Sequence, residues 1–227
     1  MEYGAVLLWW MLYAALALAG LPIAAVLFRR LEGRGAAFAL PVALVVLFVS
    51  VYWIGRFTFG TGAVTLAVVI LLAASALCYT RVDPEIDFRR YREWLAVFTV
   101  AFLFLVAIRG VDPAVRPIGG EKFLDFGLLK TILRDTALPP EDMWFAGKPV
   151  QYYYGGHLLS AILTTITGTA PKYAYNLALA GFYAALVSTA FGLAGSIAAS
   201  RGSSYRTGGL FGAFLVGIAS NLVTPLQ

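Results

Sequence analysis

A single cysteine, Cys78, and a single histidine, His157, are all the chain holds of either residue. One thiol cannot close an intrachain disulfide, so cysteine usage gives no redox compartment, and a cysteine inside an apolar run reads as a small core residue. Asp, Glu, Lys and Arg make up only 13% of the sequence, about half the usual share. Hydrophobic residues account for 60% of the 227, with a mean hydropathy of +0.81, more than one soluble core of this size can hide. A bilayer removes that difficulty. The surplus of 17 basic over 12 acidic residues is no nucleic-acid footprint, because no basic patch alternates with exposed aromatics. The arginines flank apolar runs instead, where such residues set topology or meet headgroups. Ionisable residues are essentially missing inside the runs, which argues against a coupled ion pump. Asn176 and the scattered Ser and Thr there read as helix-packing groups. No internal repeat is visible.

What is present is a series of apolar runs. The first, about residues 5–28, is long enough to cross hydrocarbon. Nothing basic precedes it and Glu2 is acidic, so it is not a cleavable signal peptide. Arg29, Arg30 and Arg34 follow it and place that end in the cytoplasm, with the N-terminus outside. Further spans are expected over about residues 36–54, 61–79, 94–108, 153–169, 175–199 and 210–222. The arginine-rich stretch RVDPEIDFRRYRE, residues 81–93, reads as a cytoplasmic loop broken by Pro84. This scheme leaves Arg201 and Arg206 outside, against the positive-inside tendency. The fold class is therefore all-α: a multi-pass transmembrane bundle of about seven spans. Residues 1–93 form the N-terminal helices, and 94–227 form a second portion around a long external loop. Polar character returns at Asn221–Gln227 without a cap or basic tail, which reads as a fragment of a longer protein or a naturally truncated one.

That loop, about residues 110–156, is the one long polar segment, and loops of such length usually carry function or internal structure. Five of the twelve carboxylates lie in its residues 119–156 (Glu121, Asp125, Asp135, Glu141 and Asp142), with His157 at its end. Residues 123–136 read as a helix with Phe126, Leu129, Ile132 and Leu133 on one side and Lys130 and Arg134 opposite. It is too short and polar to span, and is expected to lie along the membrane surface. Glu121 and Asp125, four apart, project the same way from a helix. They could merely stabilise its dipole, by about 0.3–1 kcal/mol. They could also serve as a general base, or hold a divalent cation such as Mg or Mn. Lys148-Pro149 is either a turn or a point charge for phosphate. Tyr152, Tyr153 and Tyr154, with Trp144 and Phe145, are either an interfacial aromatic belt or a binding platform. Three consecutive tyrosines point three ways on a helix, so one at least should face protein. His157 is an interfacial hydrogen-bonder or part of a site. Their crowding onto one segment says more than any one of them.

The pattern Glu121-Lys-Phe-Leu-Asp125-Phe, Pro139-Pro140, Trp144-Phe145-Ala-Gly147-Lys148-Pro149 and Tyr152-Tyr153-Tyr154-Gly-Gly-His157 resembles the "YYY" membrane protein family of archaea and some bacteria, largely uncharacterised. That family is in turn similar to the GT-C glycosyltransferases, multi-pass enzymes that take a sugar from a polyprenyl-phosphate carrier at the outer membrane face. The resemblance implies a GT-C-like core over residues 94–227, with an acidic motif, an interfacial helix, and a Lys-Pro and aromatic segment in that order. It implies Glu121 or Asp125 as base toward an acceptor hydroxyl, and Lys148, with the tyrosines or His157, at the lipid phosphate. The family's acids are adjacent, whereas these are four apart, and the loop follows the fourth span rather than the first. The implied partners are the bilayer and a polyprenyl-phosphate-linked sugar at the cell membrane, with the motif loop extracytoplasmic. The alternative is a non-catalytic protein using the same loop, such as a scrambler of lipid-linked sugars or an assembly scaffold.

Overall fold

The computed structural model describes residues 3–115 and 122–219. In chain order these form helices α1 (Tyr3–Leu27), α2 (Ala39–Gly55, preceded by a 3-10 turn, Ala36–Phe38), α3 (Thr61–Val82), α4 (Phe88–Arg109), α5 (Lys122–Arg134), α6 (Gly155–Thr167), α7 (Pro171–Ser200) and α8 (Tyr205–Gly217). No strand occurs among the described residues; Glu141 and Pro149 form one isolated bridge. Among the described residues, five helices are long and apolar enough to cross a membrane: α1, α2 with its 3-10 turn, α3, α4 and α7. A backbone in hydrocarbon must satisfy its own hydrogen bonds, and a helix apolar on all sides does so.

The expected fourth span is longer than the hydropathy suggests. Asp87 caps α4 by accepting a hydrogen bond from the Arg90 backbone N–H, so the helix starts at Phe88 within the polar stretch. Pro171 is the first residue of α7, a position where its missing N–H costs nothing.

The expected fifth span is not a crossing. α6 has 13 residues, about 20 Å of helix against roughly 30 Å of hydrocarbon. Its start lies at Phe48 of α2, whose ring a side chain on Gly155 would meet at 3.5 Å. Just past its end, Thr169 accepts a hydrogen bond of 2.9 Å from the Trp9 indole of α1. Phe48 and Trp9 both lie about 10 Å in from the same end of the bundle. The helix therefore runs across the bundle, touching α1, α2, α3, α5 and α7. The seventh expected span begins in α8, also 13 residues; its remainder lies outside the described residues.

Losing one crossing reverses the sense of everything after it. Arg201 and Arg206 do not lie opposite the early arginines, as the seven-span scheme requires. They share an end with Arg29, Arg30, Arg34 and the 81–93 stretch, which removes the conflict with the positive-inside tendency. A charged cluster welds this end together. Arg90, 8% exposed, pairs with Glu32 at 3.0 Å and with Glu93 at 2.7 Å. Its guanidinium lies 3.7 Å over the Tyr205 ring, a cation–π contact. Glu93 also accepts from Arg206 at 2.8 Å, and Ser196 donates to the Glu32 carbonyl at 3.0 Å.

The core between the two ends is aromatic. Tyr91, Trp94, Phe98 and Phe102 stack in sequence along one face of α4, with centroids 5.2–5.9 Å apart. Tyr13 of α1 meets Phe98 and Phe102 at 5.6 and 6.1 Å. Gly181 of α7 makes room for Tyr13, since any side chain there would overlap its ring. Tyr13 donates to the Ala178 carbonyl.

Two measurements check this arrangement. In a Cys78→Ser background, cysteines placed at Arg89 and Ser203 should label from one side of sealed vesicles, and one at Ala146 from the other; label reaching Arg89 and Ser203 from opposite faces would restore the extra crossing. Arg90→Ala should lower unfolding stability in detergent by about 3 kcal/mol, because it strands partners of a buried ion pair. Arg29→Ala, exposed at the same end, should stay within about 0.5 kcal/mol.

Candidate functional site

The end opposite the arginine cluster carries α5, α6 and the loop between them. α5 is the helix expected in this segment, with Leu128, Leu129 and Ile132 fully buried and Lys130 exposed. Its first turn presents Asp125. The next loop is tied to the bundle by backbone: Leu138 N–H donates to the Gly55 carbonyl at 2.7 Å, and Phe59 N–H to that of Thr136 at 2.6 Å.

Most acids of the segment serve the loop itself. Asp135 accepts from the Glu141 N–H, and Glu141 from the Gly147 N–H, both at 2.5 Å. One Asp142 oxygen accepts from the N–H groups of Trp144 and Phe145, a turn-forming pattern. Val150 N–H to the Pro140 carbonyl and Asp142 N–H to that of Lys148 complete the fold of residues 140–150. Met143 packs onto Gly127 of α5, where a side chain would collide with its sulfur.

Asp125 is different. Its Oδ1 lies 3.3 Å from His157 Nε2 in the first turn of α6, and its Oδ2 accepts from the Tyr175 hydroxyl at 3.1 Å. The side chains of Asp125 and His157 are 31% and 15% exposed. The Tyr175 ring meets Phe126 edge-on at 6.5 Å. His157 Nδ1 is buried and has no hydrogen-bond partner among the described residues. The site joins three helices: α5 gives the carboxylate, α6 the imidazole and α7 the phenol.

The other expected site residues divide. Glu121 lies outside the described residues. Lys148 is exposed on the adjoining loop, and among the described residues its ammonium makes no hydrogen bond or ion pair. Tyr152 and Tyr153 stack with centroids 4.1 Å apart and join hydroxyls at 2.7 Å. Tyr154, just before α6, turns inward against the core. Burial pushes its phenol pKa up, reinforced by Tyr52 and opposed by Arg56. One tyrosine of three does face protein, although the triplet precedes the helix instead of lying in it.

Among the described residues, no three His, Cys, Asp or Glu side chains converge. Asp125 Oδ2 already accepts a hydrogen bond and Oδ1 lies against His157, so the described donors do not by themselves form a cation cage.

The family model for an uncharacterized membrane protein family, DUF2298, matches residues 41–227. The chain belongs to this family. The DUF2298 match starts inside α2 and runs through the loop, the tyrosine triplet, Asp125, His157 and Tyr175. No curated protein and no solved structure matches.

Sequence reasoning missed Tyr175, which it treated only as the start of a span. Nothing local marks it, since its role depends on α6 lying across the bundle. A double-mutant cycle tests the central contact. Asp125→Ala and His157→Ala should couple by about 1 kcal/mol in detergent unfolding, and strict additivity would mean that the two groups do not meet.

Proposed function

We propose that this membrane protein is a glycosyltransferase that takes a sugar from a polyprenyl-phosphate donor at the Asp125 end of the bundle. One observation carries the reading: among the acids of residues 122–157, Asp125 is the one not committed to loop backbone, and it is held between an imidazole and a phenol where apolar helices end. A polyprenyl phosphosugar has a tail that partitions into hydrocarbon and a head that stays in water. A site at the helix ends accommodates both.

In an inverting displacement, the acceptor oxygen bonds to the anomeric carbon as its proton leaves. The bond from that carbon to the phosphate oxygen breaks with its electron pair and releases the lipid phosphate. The step needs a base on the acceptor and positive charge at the leaving group. Asp125, with Glu121 four residues earlier, supplies the base. One of the Asp125 contacts must open for the acceptor to approach. Lys148 meets the departing phosphate as a point charge. The stacked Tyr152 and Tyr153 offer an aromatic surface to the sugar, and Tyr154 anchors the segment in the core. This assignment keeps the GT-C-like order of acidic motif, surface helix and Lys-Pro with aromatics. The crowding of arginines in short connections at the other end supports a cytoplasmic assignment of that end, with the site on the extracytoplasmic face of the cell membrane.

Proteoliposomes carrying the full chain, labelled polyprenyl-phosphate sugar and a membrane extract as acceptor source test the proposal. Donor should be consumed, and Asp125→Asn should slow consumption at least about 100-fold with donor binding retained. Glu121→Ala and Asp125→Ala should each abolish transfer with expression intact. Wild-type turnover in the Asp125 variants would remove that residue from the mechanism. Donor that crosses between leaflets unconsumed would instead identify a scrambler.

A further inference from the structure

We propose that the arginine-rich end of the bundle holds the headgroup of an anionic phospholipid, in the crevice between the α1–α2 connection and the last turn of α7. The crevice has a volume of about 270 Å³, and its wall combines Arg30, Glu32 and Ser200 with Leu31, Ile197 and Ala199. Glu32 is already neutralised by Arg90 at 3.0 Å, so Arg30 sets the charge of the wall. Arg201 follows Ser200 directly at the end of α7.

Charge pairing at this end is lopsided. Arg34 is bound to Glu85, Arg90 to Glu32 and Glu93, and Arg206 to Glu93. Arg29, Arg30, Arg81, Arg89, Arg92 and Arg201 are exposed and have no carboxylate within ion-pair reach among the described residues. Of the acids here, Asp87 caps α4 and Asp83 alone is left without an ion pair or a cap. The end therefore presents surplus guanidinium at the depth where five apolar helices leave hydrocarbon. Basic pockets between helices at that depth suit anionic headgroups.

The mixed wall selects among anions. A soluble phosphate could satisfy Arg30 and Arg201 but would leave Leu31, Ile197 and Ala199 facing water. A phospholipid uses both, placing its phosphate on the guanidinium and the start of its acyl chains on the apolar side. A second crevice at this end, about 210 Å³ beside Arg29, is lined by Asp83 and Glu85 as well, and those carboxylates make it the poorer anion site.

The test uses the full chain in nanodiscs of equal phosphatidylglycerol and phosphatidylcholine, released for native mass spectrometry. The wild type should retain phosphatidylglycerol in excess. Arg30→Gln and Arg201→Gln should each reduce that excess about fivefold, the effect expected for one surface cation, and together by more. Arg56→Gln, at the other end, should leave it unchanged. The two single variants are read separately, so a double variant that fails to fold does not spoil the test. Equal retention of both lipids, or undiminished phosphatidylglycerol in variants with unchanged thermal midpoint, overturns the proposal. So does displacement of the lipid by millimolar glycerol phosphate alone, which would mark a plain phosphate site.

Discussion

About 20 Å of helix cannot bridge roughly 30 Å of hydrocarbon, and the arrangement of both ends follows from that shortfall in α6. Because α6 starts at Phe48 and is followed by Thr169 at Trp9, it enters and leaves at one depth. α7 must then begin at the end where α5 lies and run back to the arginine cluster. The same geometry faces the first turn of α6 toward α5 and α7, bringing His157 against Asp125 and Tyr175 within hydrogen-bond reach. A crossing helix in that place would have carried the chain to the other face and set the Tyr175 end of α7 far from α5.

A helix lying across a bundle has to be buried on most sides, and α6 is built for it. Leu158, Ala161, Ile162 and Leu163 are fully buried. Its hydroxyls create no unmet demand, because Ser160, Thr164, Thr165 and Thr167 each donate to the carbonyl four residues earlier. That local satisfaction removes the cost of burying them. The loop before α6 follows the same rule: Asp135, Glu141 and Asp142 take up N–H groups that no helix or strand satisfies. A loop of this length can hold a fixed shape because its acids close it.

The long helices were legible because length and apolarity are additive along a sequence, and five of the expected crossings stand as helices of spanning length. The surface helix was legible too, since the spacing of Phe126, Leu129 and Ile132 states its face directly. α6 was not. Residues 153–169 are apolar enough for a span, and hydropathy cannot distinguish an environment of lipid from one of packed helices. The hint was in the four hydroxyl residues and the paired Gly155-Gly156, which suit close packing better than contact with acyl chains. Crowding of acids onto the loop was visible, but their division of labour was not. Asp125 and Asp142 look alike in sequence, and only the tertiary fold shows that one binds backbone N–H groups while the other meets His157 and Tyr175.

The two ends solve opposite problems with the same residue types. At the Arg90 end, acids and bases neutralise one another inside the protein: Arg90 is buried by Glu32, Glu93 and Tyr205 and Ser196 binds the Glu32 carbonyl, which fixes the α1–α2 connection, α4, α7 and α8 relative to one another. At the Asp125 end a single carboxylate is held by a phenol and an imidazole, with no arginine or lysine within ion-pair reach among the described residues. An arginine in that place would tie the carboxylate into a closed pair, as Glu93 is tied between Arg90 and Arg206, and would leave neither oxygen accessible. Held instead from α6 and α7 by one contact each, the carboxylate is fixed in position with about a third of its side chain still exposed.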